Sequence, residues 1–279
     1  MNKKVGIVIT VIVVILVCFF IGVIVVNSKA KEETNVTNES DNKAQEVADS
    51  KEEEKTESIV LNSKIGTEIQ DLIYIYNIYS DTFFKEVEAS GLDDRAKIMF
   101  TFAKMLTDDE YSSMLRQSAD YVGTYITGDD LQKVANEIFV DGDNLKHQEV
   151  FLPNSYDDEK QNYIQLPTGF VEFSYIKDIP YKIEQKGNII TVYTYRLYID
   201  CKTSDNLEDI TNSTQTIYYD SNKTNKAIVV NNERMDDEAK QIDYINENIN
   251  NGKIDKEKIK QGVYTILQKG SNYLIQDIK

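Results

Sequence analysis

The chain reads as an α+β protein behind an N-terminal membrane helix. Three observations predict this: an uncharged apolar run at the start, an apolar period of three and four residues from about 59 to 139, and a period of two beyond about 150.

The run Val5–Val26 lies between Lys3-Lys4 and a polar stretch, interrupted only by Gly6, Thr10, Cys18 and Gly22. A helix rises about 1.5 Å per residue and the hydrocarbon core is about 30 Å thick, so about 20 apolar residues are needed. A cleaved signal peptide has a shorter apolar core, about 7–15 residues, and a small-residue cleavage site. Here the run exits through Val25-Val26-Asn27-Ser28-Lys29-Ala30. A lipoprotein reading would use Cys18, but Val17 is too large beside it and the run continues past it. The segment reads as an uncleaved single-pass anchor in contact with the lipid bilayer. The flanking lysines are nearly balanced, so orientation rests on the very short N-terminal tail. Residues 1–4 are expected in the cytoplasm and everything after Val26 outside.

The chain has 279 residues, a hydrophobic fraction of 41% and a formal charge of −16. All 47 acidic residues and all but two of the 31 Lys and Arg lie after Val26. That excess excludes a nucleic-acid footprint, which must be basic, and disfavours a grip on anionic lipid headgroups. It favours solubility. Cys18 and Cys201 cannot pair within one folded chain, so the exported part has no internal disulfide. Abundant Asn, Ile, Lys and Tyr with no Trp suggests an AT-rich bacterial genome, which makes the sequons at Asn35, Asn38, Asn212 and Asn222 incidental.

Residues 27–58 are rich in Lys, Glu, Asn, Ser and Thr, and read as a disordered acidic stalk. A flexible coil of that length averages about 30 Å end to end. Val36, Ala44, Val47 and Ala48 form no heptad seam. The extracytoplasmic domain is expected over 59–279. Ile65, Ile69, Leu72, Ile73, Tyr76, Tyr79, Phe83 and Val87 predict one amphipathic helix, stopped by Gly91. A second is expected over about 93–106. Thr107-Asp108-Asp109-Glu110 reads as a capping box for a third helix carrying Tyr111, Met114, Leu115, Ser118, Val122 and Tyr125 on one face. Thr127 through Asp130 caps a fourth, with Leu131, Val134, Ile138 and Phe139 inward.

The period then changes. Ile179, Tyr181 and Ile183 alternate with polar residues and Pro180, a strand with one dry face. After the turn Lys186-Gly187-Asn188, a strand from Ile189 to Cys201 puts Tyr193, Tyr195, Leu197 and Ile199 on one side. Val192, Thr194, Arg196 and Tyr198 lie on the other. Thr214–Tyr219 and Ala227–Val230 form a hairpin. Met235, Ile242, Ile245 and Ile249 mark a helix ended by Gly252. Val263–Gln268 and Tyr273–Ile278 form a last hairpin. Helices first and an antiparallel meander after give the α+β class.

No motif carries catalytic chemistry. His147 is the only histidine and no C-x-x-C exists, so no metal cluster, cofactor site or Ser–His–Asp triad has a sequence basis. Cys201 ends an aromatic strand and reads as a buried thiol. Ser174-Tyr175-Ile176-Lys177, Ser204-Asp205-Asn206 and Lys223-Thr224-Asn225 mimic the S-x-x-K, S-D-N and K-T-G order of transpeptidases. They crowd into about fifty residues, Ser174 lies in strand-like sequence, and Asn225 replaces the glycine. The oxygen-rich stretches from Asp141 and Asp220 lack the Gly and Glu of an EF-hand loop, so Asx-rich turns account for them, with weak non-EF calcium binding as the alternative. Arg196 and Tyr198 are the residues packing explains least. If their face of the strand is open, they are contact candidates.

The order of anchor, acidic stalk, helical half and meander ending in Val263-Tyr264-Thr265-Ile266-Leu267-Gln268 and Tyr273-Leu274-Ile275 resembles uncharacterised exported proteins of low-GC Gram-positive bacteria. In element order, about 65–279 is similar to cone-shaped domains of the nuclear-transport-factor-2 type. That resemblance implies membrane-anchored assembly subunits, small-ligand binders or enzymes, among which fold does not choose. The expected function is a non-catalytic binding or scaffolding module of the bacterial cell envelope. A ligand-sensing domain with a pocket between sheet and helices stands second, and a cell-wall-modifying enzyme third.

Overall fold

The computed structural model describes residues 55–279 except 76, 122, 152–154, 166–171, 203–213 and 232–237. The run Val5–Val26 and most of the expected stalk lie outside the described residues. Among the described residues no helix is long and apolar enough to cross a membrane.

The α+β class holds. Helices α1 (Lys64–Ile73), α2 (Asn77–Ser90), α3 (Asp94–Thr107) and α4 (Gly128–Ile138) come first, and α5 (Glu238–Asn250) comes late. The strands are β1 (Thr56–Ile59), β2 (Arg116–Gln117), β3 (Thr124–Thr127), β4 (Tyr156–Asp157), β5 (Asn162–Gln165), β6 (Glu172–Lys186), β7 (Ile189–Lys202), β8 (Thr214–Tyr218), β9 (Lys226–Asn231), β10 (Lys260–Lys269) and β11 (Asn272–Ile278).

Every pairing between the described strands is antiparallel, and an isolated parallel bridge joins Phe139 to Ile275. A seven-stranded sheet runs β1-β6-β7-β10-β11, with β8 and β9 also attached through β7. β7 is long enough to forward its free edge to two hairpins. Ile189 to Arg196 pairs with β10, and Tyr198 to Lys202 pairs with β8. The sheet therefore forks beside Arg196. A second sheet, β2-β3-β5-β4, is small.

Two cores result. The inner face of the large sheet, through Ile176, Ile183, Val192, Tyr198, Tyr264 and Ile266, packs on Phe83, Phe84, Met99 and Phe100 from the first helices. On the outer face Tyr175, Ile179, Leu197, Ile199 and Ile217 pack under Ile245 and Ile249 of α5. Ser80 of α2 ties helix to sheet. Its buried hydroxyl accepts from the Ile176 amide at 2.9 Å and donates to the Asn77 carbonyl.

Four local expectations change. The single helix from Ile65 to Val87 is two, because Ile73 and Ile75 are both buried around an extended Tyr74. Alternating β-branched and aromatic residues break the helical period there. The third helix shrinks to a 3-10 turn, Asp109–Met114, capped by the Asp108 side chain at the Glu110 amide. The chain then turns at Ser118 and, through Gly123 at φ 115°, enters β3, where Thr124-Tyr125-Ile126-Thr127 suits a strand. β1 begins at Thr56, so the last residues expected in the stalk pair with β6 from Thr56↔Lys186 to Ile59↔Ile183. Finally, a bulge between Pro180 and Lys182 puts Ile179 and Ile183 on opposite faces, Ile179 under α5 and Ile183 under the first helices. An extra residue reverses the alternation, and Pro180 is its sequence mark.

The remaining elements match. Thr127 caps α4 through the Asp130 amide at 3.2 Å, and Leu131, Val134, Ile138 and Phe139 are buried. Both predicted hairpins form, and α5 closes before Gly252 at φ 76°.

Candidate functional site

Arg196 and Tyr198 lie on the expected face of β7, but that face is closed. Arg196 is 0% exposed and Tyr198 4%. They cannot be surface contacts, because α2 covers them. The Arg196 guanidinium sits 4.3 Å from the Phe84 ring centroid, and its Nε and Nη2 donate to both oxygens of Asp178 at 2.8 and 2.7 Å. The Tyr264 hydroxyl donates to the same carboxylate at 2.9 Å. Nη1 has no hydrogen-bond partner among the described residues. A Cβ on Gly262 would approach Arg196 Nη2 at 2.8 Å and Asp178 Oδ2 at 2.7 Å, so the missing side chain makes room for the pair. Burial and the Asp178 charge push the Tyr264 hydroxyl well above the usual phenol range. Tyr198 donates to Glu88, whose carboxylate also holds Lys260. A cleft of about 530 Å³ opens at the rim, lined by Val87, Glu88, Gly91, Lys260, Asp277, Ile278 and Lys279. The Glu88–Lys260 and Asp277–Lys279 pairs occupy its charged groups. The centre of the helix-covered face is filled by the protein's own side chains.

The other candidates also have partners. His147 Nδ1 lies 3.0 Å from the Tyr163 hydroxyl, and burial lowers its pKa. Cys201 is buried, which pushes its thiol up to about 12, with the Asp200 charge adding to the effect. A thiolate is thereby disfavoured. Asp141 pairs with Lys97 at 2.9 Å, which neutralises the first carboxylate of that loop. Asp220 accepts from the Thr224 and Asn225 amides at 3.1 and 2.7 Å, an Asx-type turn closing on itself. Among the described residues no three His, Cys, Asp or Glu side chains are placed to hold a metal ion. Ser174 does meet Lys223, but Lys223 also pairs with Asp200 at 2.7 Å and Ser174 donates to that carboxylate at 2.8 Å. The Lys223 ammonium is thus held by the Asp200 carboxylate, and Ser174 by the same oxygen.

The half-exposed face is the one opposite Arg196 and Tyr198. Along β7 the outer face divides. Leu197 and Ile199 lie under α5, whereas Ile189, Thr191, Tyr193 and Tyr195 are only half-buried. Their cross-strand neighbours Val263, Thr265, Leu267 and Leu274 are half-buried too. Of these apolar residues only Tyr195 packs against either core. The bulge brings Tyr181 into the same patch. Its ring stacks on Tyr195 with centroids 4.2 Å apart and planes at 19°, and lies 6.3 Å from Tyr193. Lys182 Nζ sits 5.0 Å from the Tyr193 centroid and pairs with Glu184 at 2.7 Å.

No family model matches this chain, and no curated protein or solved structure matches it either.

The described residues therefore offer an aromatic, half-exposed sheet surface built on Tyr181, Tyr193 and Tyr195. Sequence reasoning placed Tyr193 and Tyr195 on one face of the strand but did not single them out as contacts. The available signal was length: a thirteen-residue helix rises about 20 Å, too little to cover a fourteen-residue strand of about 46 Å.

Proposed function

We propose that this protein is a membrane-anchored, non-catalytic binding module of the bacterial cell envelope. Residues 5–26 hold it in the bilayer, with the N-terminus cytoplasmic and the domain outside. The open outer face around Tyr181, Tyr193 and Tyr195 is its docking surface. The observation that carries this is the half-exposed tyrosine patch on the outer face, beside the core under α5. Apolar surface that the described residues leave half-exposed marks an interaction site, and tyrosine combines large contact area with few rotatable bonds.

The buried Arg196 network supports the same reading. A pocket between sheet and helices would need that space, which the Arg196–Asp178 pair and Phe84 fill.

The test is a photo-cross-linking residue at position 193 of the full chain in intact cells, with a second at exposed Lys64 as control. Capture of an envelope component from 193 and not from 64 is expected. Equal yields from the two positions refute the docking surface. Protease added outside spheroplasts should remove the domain, and its full protection would refute the topology.

A further inference from the structure

The outer face differs from the rest of the chain in charge as well as in aromatic content. Read across the register, the half-exposed part of this face carries Lys182, Lys186, Lys269 and Lys279 against Glu184 and Asp277, while Lys177, opposite Leu197, is buried. The chain as a whole has 47 acidic residues and 31 basic ones. Lys182 and Lys279 are paired, to Glu184 and Asp277. Lys186 and Lys269 are exposed, have no ion-pair partner among the described residues, and stand at the hairpin end of the patch, flanking Ile189 and Leu267. An acidic protein thus presents a locally basic strip beside stacked tyrosines.

The size of the strip narrows the occupant. Four strands spaced about 4.8 Å apart, over seven residues rising about 3.3 Å each, give about 400 Å². A stable protein pair needs about 800 Å² on each side. A second copy would bring its own basic strip against this one.

Resting on the docking surface proposed above, we propose that the occupant is a linear acidic polysaccharide. The apolar C–H faces of its sugar rings lie on the tyrosine rings. Thr191, Thr265 and Gln261 reach its hydroxyl groups, and its carboxylate or phosphate groups face Lys186 and Lys269. A small site suits a repeating polymer, because many tethered copies engage one strand and add avidity without new contacts at any single site.

The experiment uses the full chain in nanodiscs of uncharged lipid, with polygalacturonate as probe and an uncharged dextran and poly-L-glutamate as comparators. Polygalacturonate should bind and weaken with salt, as exposed charge pairs do. Tyr193→Ala and the double variant Lys186→Glu/Lys269→Glu should each weaken it by about tenfold, the loss of one good contact, while Tyr193→Phe should not. The two lysines are exposed at a hairpin end, so that variant tests the site without endangering the fold. No binding of polygalacturonate overturns the inference, as does equal binding of poly-L-glutamate, which would make the strip a charge patch. Equal binding of dextran overturns the role of the lysines. A dimer abolished by Tyr193→Ala assigns the face to a second copy and overturns it as well. If polygalacturonate fails while the cross-linker at 193 still captures a protein, the docking surface stands and the polysaccharide falls.

Discussion

Replacing Arg196 by methionine strands the Asp178 carboxylate beneath α2. Asp178 keeps only the Tyr264 hydroxyl at 2.9 Å and loses both guanidinium bonds, at 2.8 and 2.7 Å. The side chains are 0% and 6% exposed, so water cannot replace the lost partner. Removing one member of a buried pair costs about 3–5 kcal/mol, most of it from leaving the other charge uncompensated. Removing both is different. Arg196→Met/Asp178→Leu/Tyr264→Phe fills similar volume with apolar groups against Phe84 and leaves no hydroxyl without its acceptor, and such exchanges are neutral or stabilising by about 1–4 kcal/mol. Arg196→Met/Asp178→Leu alone orphans the Tyr264 hydroxyl at about 1–3 kcal/mol and recovers in part. The single variant should therefore be the least stable of the set, and the triple variant should recover. Urea unfolding of the full chain in mild detergent, followed by tyrosine near-ultraviolet dichroism, measures this if the slope m is unchanged. A single variant within about 1 kcal/mol of the parent would refute the reasoning. So would a triple variant as unstable as the single, because the penalty would then come from lost packing against Phe84 and not from the orphaned charge.

Gly262→Ala should destabilise by about 1–3 kcal/mol through overpacking, since its Cβ would lie 2.4 Å from Thr194 Oγ1; an unchanged urea midpoint would mean Thr194 and the ion pair yield freely. Ser80→Ala leaves the buried Ile176 amide without an acceptor and should cost about 1–3 kcal/mol, with faster amide exchange at Ile176 as its signature. For Asp130, burial raises the pKa, but hydrogen bonds from Arg116 and Thr127 outweigh it and hold the carboxyl below 3.8. A depressed folded pKa contributes stability above the unfolded value and loses it as pH falls through the folded one. Arg116→Met should therefore cost up to about 1 kcal/mol at pH 7 and less at acid pH, where a constant difference would contradict the assignment. The Cys201 thiol, buried and pushed up to about 12, should resist alkylation in the folded protein and react on unfolding; rapid labelling of Cys201 in a Cys18→Ser background would contradict its burial.

Which residues alternate, and where helices are capped, was legible along the chain. The cap at Thr127, the two hairpins and the two sides of β7 follow from side-chain period and turn chemistry, which act over a few residues. The bulge at Pro180 was half legible, because proline marks an irregular strand without fixing the register. The small sheet was missed because its strands are two to four residues long, too short for a period to show.

The sequence by itself determined the α+β order, the apolar run at 5–26, the acidic balance and the lack of a pairing partner for Cys201 within the domain. Whether each face of β7 is covered was decided only by tertiary structure. Period two says that a strand has two faces, but coverage depends on helices distant in the chain. α2 lies over Arg196 and Tyr198 and turns two candidate contacts into core. α5 ends short of Tyr193 and leaves it half-exposed. Both outcomes depend on the lengths and placements of packed elements, which no local pattern encodes.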